Sequence, residues 1–126
     1  MQCYSVEINE IKTVSNVGGY NYKTIPGLQI TVNTEVGGIY AIHFVASINP
    51  TADSEIYAMP ALDGTRLRSS VVSNVKANSY TNLACLSTFT ATSSSHSIAG
   101  WCGTSGAASI GAKILTGSRI LVYRIG

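Results

Sequence analysis

Charge is what this chain has least of. Lys, Arg, Asp and Glu make up 11% of its 126 residues, less than half of the ~25% usual in globular domains. Eight basic side chains against six acidic ones leave a net charge of +2. The basic residues are spread along the chain, and only Arg66 and Arg68 come close together. Nucleic-acid binding calls for a clustered basic face with interleaved aromatics, so no such partner is expected. Long hydrophobic runs are missing too. No stretch approaches the ~20 apolar residues that cross a bilayer, so no membrane insertion is expected.

Cysteine is scarce and odd in number. Cys3, Cys85 and Cys102 cannot all pair within one chain, and a disulfide framework shows an even count at tight spacing. Free, buried thiols of a protein made in a reducing compartment are the expectation. The start, Met1-Gln2-Cys3-Tyr4, has neither a basic nor an apolar leader segment, so folding in the cytoplasm is expected. Three cysteines do not supply the four ligands of a zinc site. The carboxylates Glu35, Asp53, Glu55 and Asp63 are too dispersed for calcium, so neither metal nor cofactor is expected.

Histidine occurs twice, as His43 and His96. A Ser-His-Asp arrangement needs a buried aspartate and an activated serine, yet Asp53 and Asp63 fall in turn-like segments and no Gly-x-Ser-x-Gly occurs. The chain is therefore expected not to be an enzyme.

What the chain has is Ser, Thr, Asn, Gly and apolar residues in alternation. No window holds a helical period, and Gly, Asn, Ser or Pro interrupts the apolar pattern every eight to twelve residues or so. Leu28 to Thr34 alternates strictly. Ile39 to Ile48 places Tyr40, Ile42, Phe44, Ala46 and Ile48 on one face. Glu55 to Met59 forms a short strand that Pro60 is expected to end or to confine to an edge. Asp63-Gly64 is the strongest hairpin turn. Strands over Arg66 to Val75, Tyr80 to Thr92, His96 to Cys102, Ala108 to Leu115 and Ser118 to Ile125 follow, and a further one spans Gln2 to Ile8. Asn16 to Gly27 reads as a loop. The expectation is one all-β domain over residues 1–126, a sandwich of eight to ten antiparallel strands.

Two segments carry more than the fold. Ile39 to Ile48 and Ile120-Leu121-Val122-Tyr123 are apolar on both faces, whereas a sheet facing water alternates apolar with polar. A chain this small has little mass to cover both faces, so a second subunit is the expected cover. Ile39, Ala41, His43, Val45, Ile120 and Val122 are the candidate interface residues.

Gly38-Ile39-Tyr40-Ala41-Ile42-His43-Phe44 resembles the Gly-x-Tyr-x-aliphatic-x-aromatic strand of the tumour necrosis factor-like and complement globular-head superfamily. Leu62-Asp63-Gly64-Thr65 is similar to that family's Asn-Gly-Thr hairpin, and Arg68-Ser69-Ser70 to its Ser-bearing strand. Thr88 to Trp101 resembles its long strand-turn-strand, with Ser93-Ser94-Ser95 where Ala-Gly-Asp is usual. Ser118 to Gly126 resembles the terminal strand. Residues 28–126 carry the likeness; residues 1–27 are an N-terminal strand and loop region. The resemblance implies a ten-stranded jelly roll that forms a compact homotrimer. It further implies a non-catalytic head or knob, as on a phage virion or a cell or spore surface, that binds a host glycan or surface protein or caps a fibre. A trimerisation module for a collagen-like stalk and a lectin-like carbohydrate-binding domain are the other readings. Trp101, Arg66 and Arg68 are the candidate ligand contacts.

Overall fold

A computed structural model describes residues 3–126; Gln2, the expected start of the first strand, lies outside them. Eleven strands, and no helix among the described residues, form the chain: β1 (Cys3–Glu7), β2 (Lys12–Val14), β3 (Lys23–Asn33), β4 (Ile39–Pro50), β5 (Ser54–Leu62), β6 (Thr65–Arg66), β7 (Ser70–Val75), β8 (Thr81–Thr90), β9 (Ser95–Thr104), β10 (Ala112–Ile114) and β11 (Arg119–Arg124). They make two antiparallel sheets. In sheet A, β4 is central, with β8 on one side and β11 then β1 on the other; β10 and β2 extend the β11 side. Sheet B runs β3-β9-β5, with β6 and β7 both on the far side of β5. The chain crosses between sheets at β3-β4-β5 and again at β7-β8-β9-β10, the swapping connectivity of a jelly-roll-like β-sandwich.

The period-2 pattern decides what fills the middle. Ile42, Phe44, Ala46 and Ile48 of β4, Ile56 and Ala58 of β5, Ile98 and Cys102 of β9, and Ile120 and Val122 of β11 are all buried from both sheets. Gly100 faces Phe44: a Cβ there would come within 2.8 Å of the ring. Phe44 therefore takes the space that any other residue at position 100 would claim.

Several expectations are corrected. Ile120 and Val122 do not belong to the outer face. They pair with Phe44 and Ile42 and are fully buried in the core, so Leu121 and Tyr123 are the outward residues of β11. The Asn16–Gly27 loop ends earlier than expected, because Lys23–Gly27 already belongs to β3; its register against β9 shifts between Thr24 and Gln29. Arg66–Val75 is not one strand but β6 and β7, parted at Leu67–Ser69. Most of Ala108–Leu115 lies outside any strand, leaving only β10.

Pro60 does not end β5, which runs to Leu62. The carbonyl of Pro60 accepts from Leu67 N–H. In a strand, N and O of one residue point to the same side, so the missing N–H of Pro60 faces the gap between β6 and β7. No ladder hydrogen bond is lost there. The Asp63-Gly64 turn joins β5 to β6 with φ of 50° and 81°, the left-handed pair a two-residue hairpin of this kind requires.

Candidate functional site

Each sheet turns one face to the core and one outward, and the two outward faces differ. On sheet A the strand registers line up Ser5, Leu121, His43 and Leu86 in one row across β1, β11, β4 and β8. The row above holds Cys3, Tyr123, Ala41 and Thr88, and the row below Glu7, Arg119, Val45 and Ala84. Leu121 and Val45 thus lie beside His43 on this face, with Leu86 on the edge strand β8 and Ile39 at the start of β4. Leu86 is 62% exposed and Ile39 41%. At the centre His43 Nε2 and Tyr123 Oη form a 2.9 Å hydrogen bond, with the rings tilted against each other. Ile39, His43 and Val45 lie on this face as expected from the alternation. Ala41 lies there too but is already covered by its neighbours.

On sheet B the outward face gathers aromatic rings from segments far apart in sequence. Tyr57 of β5 meets Tyr20 edge-on at 5.5 Å between ring centres and Tyr22 at 6.0 Å. The ring of Tyr22 is pressed onto Gly103 of β9, where no Cβ would fit. Arg66 lies over the Tyr22 ring, its guanidinium carbon 5.0 Å from the ring centre, a cation–π contact. Trp101, two residues before Gly103 on the same face, is half-buried beside Met59. Of the three expected ligand contacts, the fold brings Arg66 and Trp101 to this face. Arg68 is elsewhere. It borders a groove of about 290 Å³ with Ser69, Ser70 and Leu86, at the open edge between β7 and β8. The two arginines do not act together, because the chain leaves the sheet between them.

The sequence reading missed Tyr20, Tyr22 and Tyr57, since two come from an irregular segment and pair with nothing nearby in sequence. Below Tyr57, Glu55 accepts from Tyr57 Oη at 3.3 Å and from Ser73 Oγ at 3.1 Å. Burial foremost, and then the charge of Glu55, push the Tyr57 hydroxyl up to about 12, so it stays protonated and can donate. Next to Glu55 a depression of about 240 Å³ is lined by Asp53, Ser54, Asn74, Lys76 and Ser105.

The second histidine has a partner the turn reading did not foresee. His96 is buried, and its Nδ1 lies 2.6 Å from Asp63 Oδ2. Thr92 N–H donates to Nε2 at 3.2 Å, which makes Nε2 the acceptor and Nδ1–H the donor. That lone pair is thus engaged, and no serine hydroxyl stands against it as a nucleophile would. Cys85 and Cys102 are buried thiols; burial raises both and pushes Cys102 up to about 12.

Fold and faces together define a β-sandwich of jelly-roll-like form with two distinct outward surfaces. No protein-family model matches the chain, and no curated protein matches it in sequence. Solved structures do match its fold. The chain is similar to the C-terminal domain of EclA, a sugar-binding protein, at TM-score 0.53 and 16% identity, covering 98% of this chain and 79% of that one. It is similar to dimeric latent PorU from Porphyromonas gingivalis at TM-score 0.60 and 10% identity, covering 98% of this chain but 12% of that one. It is also similar to the VP2 subviral particle of infectious bursal disease virus at TM-score 0.54 and 14% identity, covering 96% of this chain and 36% of that one.

Proposed function

We propose that this chain is a non-catalytic, trimeric head domain of a particle or fibre, as on a phage virion. In this reading copies associate through the outer face of sheet A and present the rest of the surface to a host glycan or surface protein. The observation that carries it is the apolar content of that face, where Leu121 and Val45 lie beside the His43–Tyr123 pair and Leu86 and Ile39 stand exposed toward its rim. Burying each aliphatic side chain is worth roughly 1.5–3 kcal/mol, and contiguous apolar surface of this kind marks an interaction site on soluble proteins. His43 Nε2 and Tyr123 Oη satisfy each other, which lowers the cost of covering them. The stoichiometry of three, and the membership in the tumour necrosis factor-like superfamily, follow the strand and turn resemblance; the jelly-roll-like strand order is compatible with the second. The EclA domain comes from a sugar-binding protein and VP2 forms a subviral particle; both roles are compatible with the reading, and a fold alone does not choose between them.

Light scattering on the purified chain tests the reading. The expected mass is three times the 13.2 kDa chain, and Val45→Asp is expected to reduce it to a folded monomer. A monomer for the unmodified chain overturns the self-associating head.

A further inference from the structure

We propose that the outer face of sheet B carries a site for one neutral pyranose sugar, with Tyr20 and Tyr57 as its aromatic wall and Glu55 and Asn74 as its hydrogen-bonding groups. A pyranose has a face of C–H groups that packs on an aromatic ring and a rim of hydroxyls that each both donate and accept. The Tyr20–Tyr57 pair supplies an apolar surface with polar ends. Tyr20 is 51% exposed, so its ring is not there to fill the core. Tyr22 and Arg66 adjoin the wall, since the Tyr22 ring meets Tyr57, Gly103 and the Arg66 guanidinium.

The backbone bears out the placement. Tyr20 has φ of 62° and Asn74 has φ of 56°, left-handed conformations that side chains other than glycine seldom take, and a bulky one least. Tyr20 N–H is held by Thr104 O at 2.8 Å. Asn74 sits where the β5–β7 register shifts between Ser54 and Ile56, and a bulge of this type re-aims a side chain. Asn74 lines the depression beside Glu55, and the Tyr20 ring reaches it through Tyr57, whose hydroxyl donates to Glu55. Strain of this kind persists where the surroundings hold it and clusters at functional sites.

Size and charge narrow the ligand. A depression of about 240 Å³ falls below the ~300–1,000 Å³ usual for drug-sized ligands and suits a single small ring. Asp53 and Glu55 outnumber Lys76, which already pairs with Asp53 at 3.3 Å. The floor is therefore net negative and disfavours phosphate, sulfate or an acidic sugar. A cation is disfavoured as well, because Ala77 N–H and Lys76 engage Asp53 and leave Glu55 as the one unneutralised carboxylate, where a hard cation wants several. A neutral polyhydroxylated ring is what remains.

The inference deepens the head-domain reading and rests on it in one respect: sheet B must face away from the assembly. Saturation-transfer NMR on the intact chain, with the methyl glycosides of glucose, galactose, mannose and N-acetylglucosamine as probes, decides it. Transfer to the ring protons of at least one of them is expected, and weaker transfer to glucuronic acid. Tyr20→Ala and Glu55→Gln are each expected to weaken binding about tenfold, while Tyr20→Phe retains it. Circular dichroism should show all three folded; should Tyr20→Ala fail to fold, Glu55→Gln decides. The site is overturned if none of the four glycosides receives saturation, if the acidic sugar binds as well as the neutral ones, or if both weakening variants bind as the unmodified chain does. Light scattering on the same samples separates the two readings. A trimer that binds no sugar removes the site alone, and a monomer that binds removes self-association alone.

Discussion

Asp63 and His96 stand 33 residues apart in the chain and 2.6 Å apart in space. The aspartate occupies the hairpin turn between β5 and β6, and the histidine lies under it near the start of β9. Asp63 also accepts from Ser97 N–H at 2.8 Å, while His96 accepts from Thr92 N–H. One carboxylate and one imidazole thus tie a turn, a strand and the Ala91–Ser94 loop together.

Removing that tie should cost stability. Asp63→Ala leaves the buried His96 N–H without an acceptor, a loss of about 1–3 kcal/mol. Urea denaturation should show a lower midpoint at unchanged slope.

The same pair gives a pH dependence. Ser97 N–H foremost, and then His96, hold the Asp63 carboxyl below its ordinary range. A carboxyl lowered by folding stabilises the native state above its unfolded value of about 4, and this contribution is lost as pH falls through the lowered native value. Urea midpoints of the unmodified chain should therefore drop in that acidic window, and Asp63→Asn should flatten the drop. An identical acid profile for the two proteins would refute the coupling.

Val122 and Val45 belong to the same sheet but face opposite ways. Val122→Asp places a carboxylate at a fully buried position, and the chain is expected to lose its β circular dichroism signal or become insoluble. Val45→Asp puts the charge on the outer face, so the signal is kept and only the mass changes. If both variants unfold, the outer face is part of the monomer's own core.

Gly100 and Phe44 compete for one space. Gly100→Ala sets a methyl group within 2.8 Å of the ring and should destabilise by about 1–3 kcal/mol. Phe44→Leu in the same chain should recover part of that loss. A double-mutant cycle in thermal melts measures it, and strict additivity would mean that the two do not meet.

Cys85 and Cys102 should resist alkylation near pH 8 in the native chain, because burial holds both as thiols and the thiolate is the reactive form. Both should react once urea unfolds the protein. Mass spectrometry counts the modified sites.

Strands and turns were legible where the residue pattern was one-sided. In β8, Leu83, Cys85 and Phe89 alternate with Asn82, Ala84 and Thr88, and the structure buries the first set. Asp63-Gly64 formed its hairpin because few other dipeptides adopt that backbone. β11 was not legible in this way. Ile120-Leu121-Val122-Tyr123 is apolar in both phases, so alternation gives two sets without saying which one faces inward. The Tyr20–Tyr57 pairing was hidden for another reason: no local pattern connects an irregular segment near the N-terminus to the middle of β5.

The sequence by itself determined the all-β class, the main hairpin and the inward face of β8, because each follows from period-2 alternation or from the φ that a turn demands. Only the tertiary structure decided that Ile120 and Val122 pack inward, through their pairing with Phe44 and Ile42. It also decided that Arg66 and Arg68 part company, that His96 meets Asp63, and that Tyr20, Tyr22 and Tyr57 converge over sheet B. Those relationships come from strands that the jelly-roll crossovers bring side by side, and spacing along the chain carries no record of them.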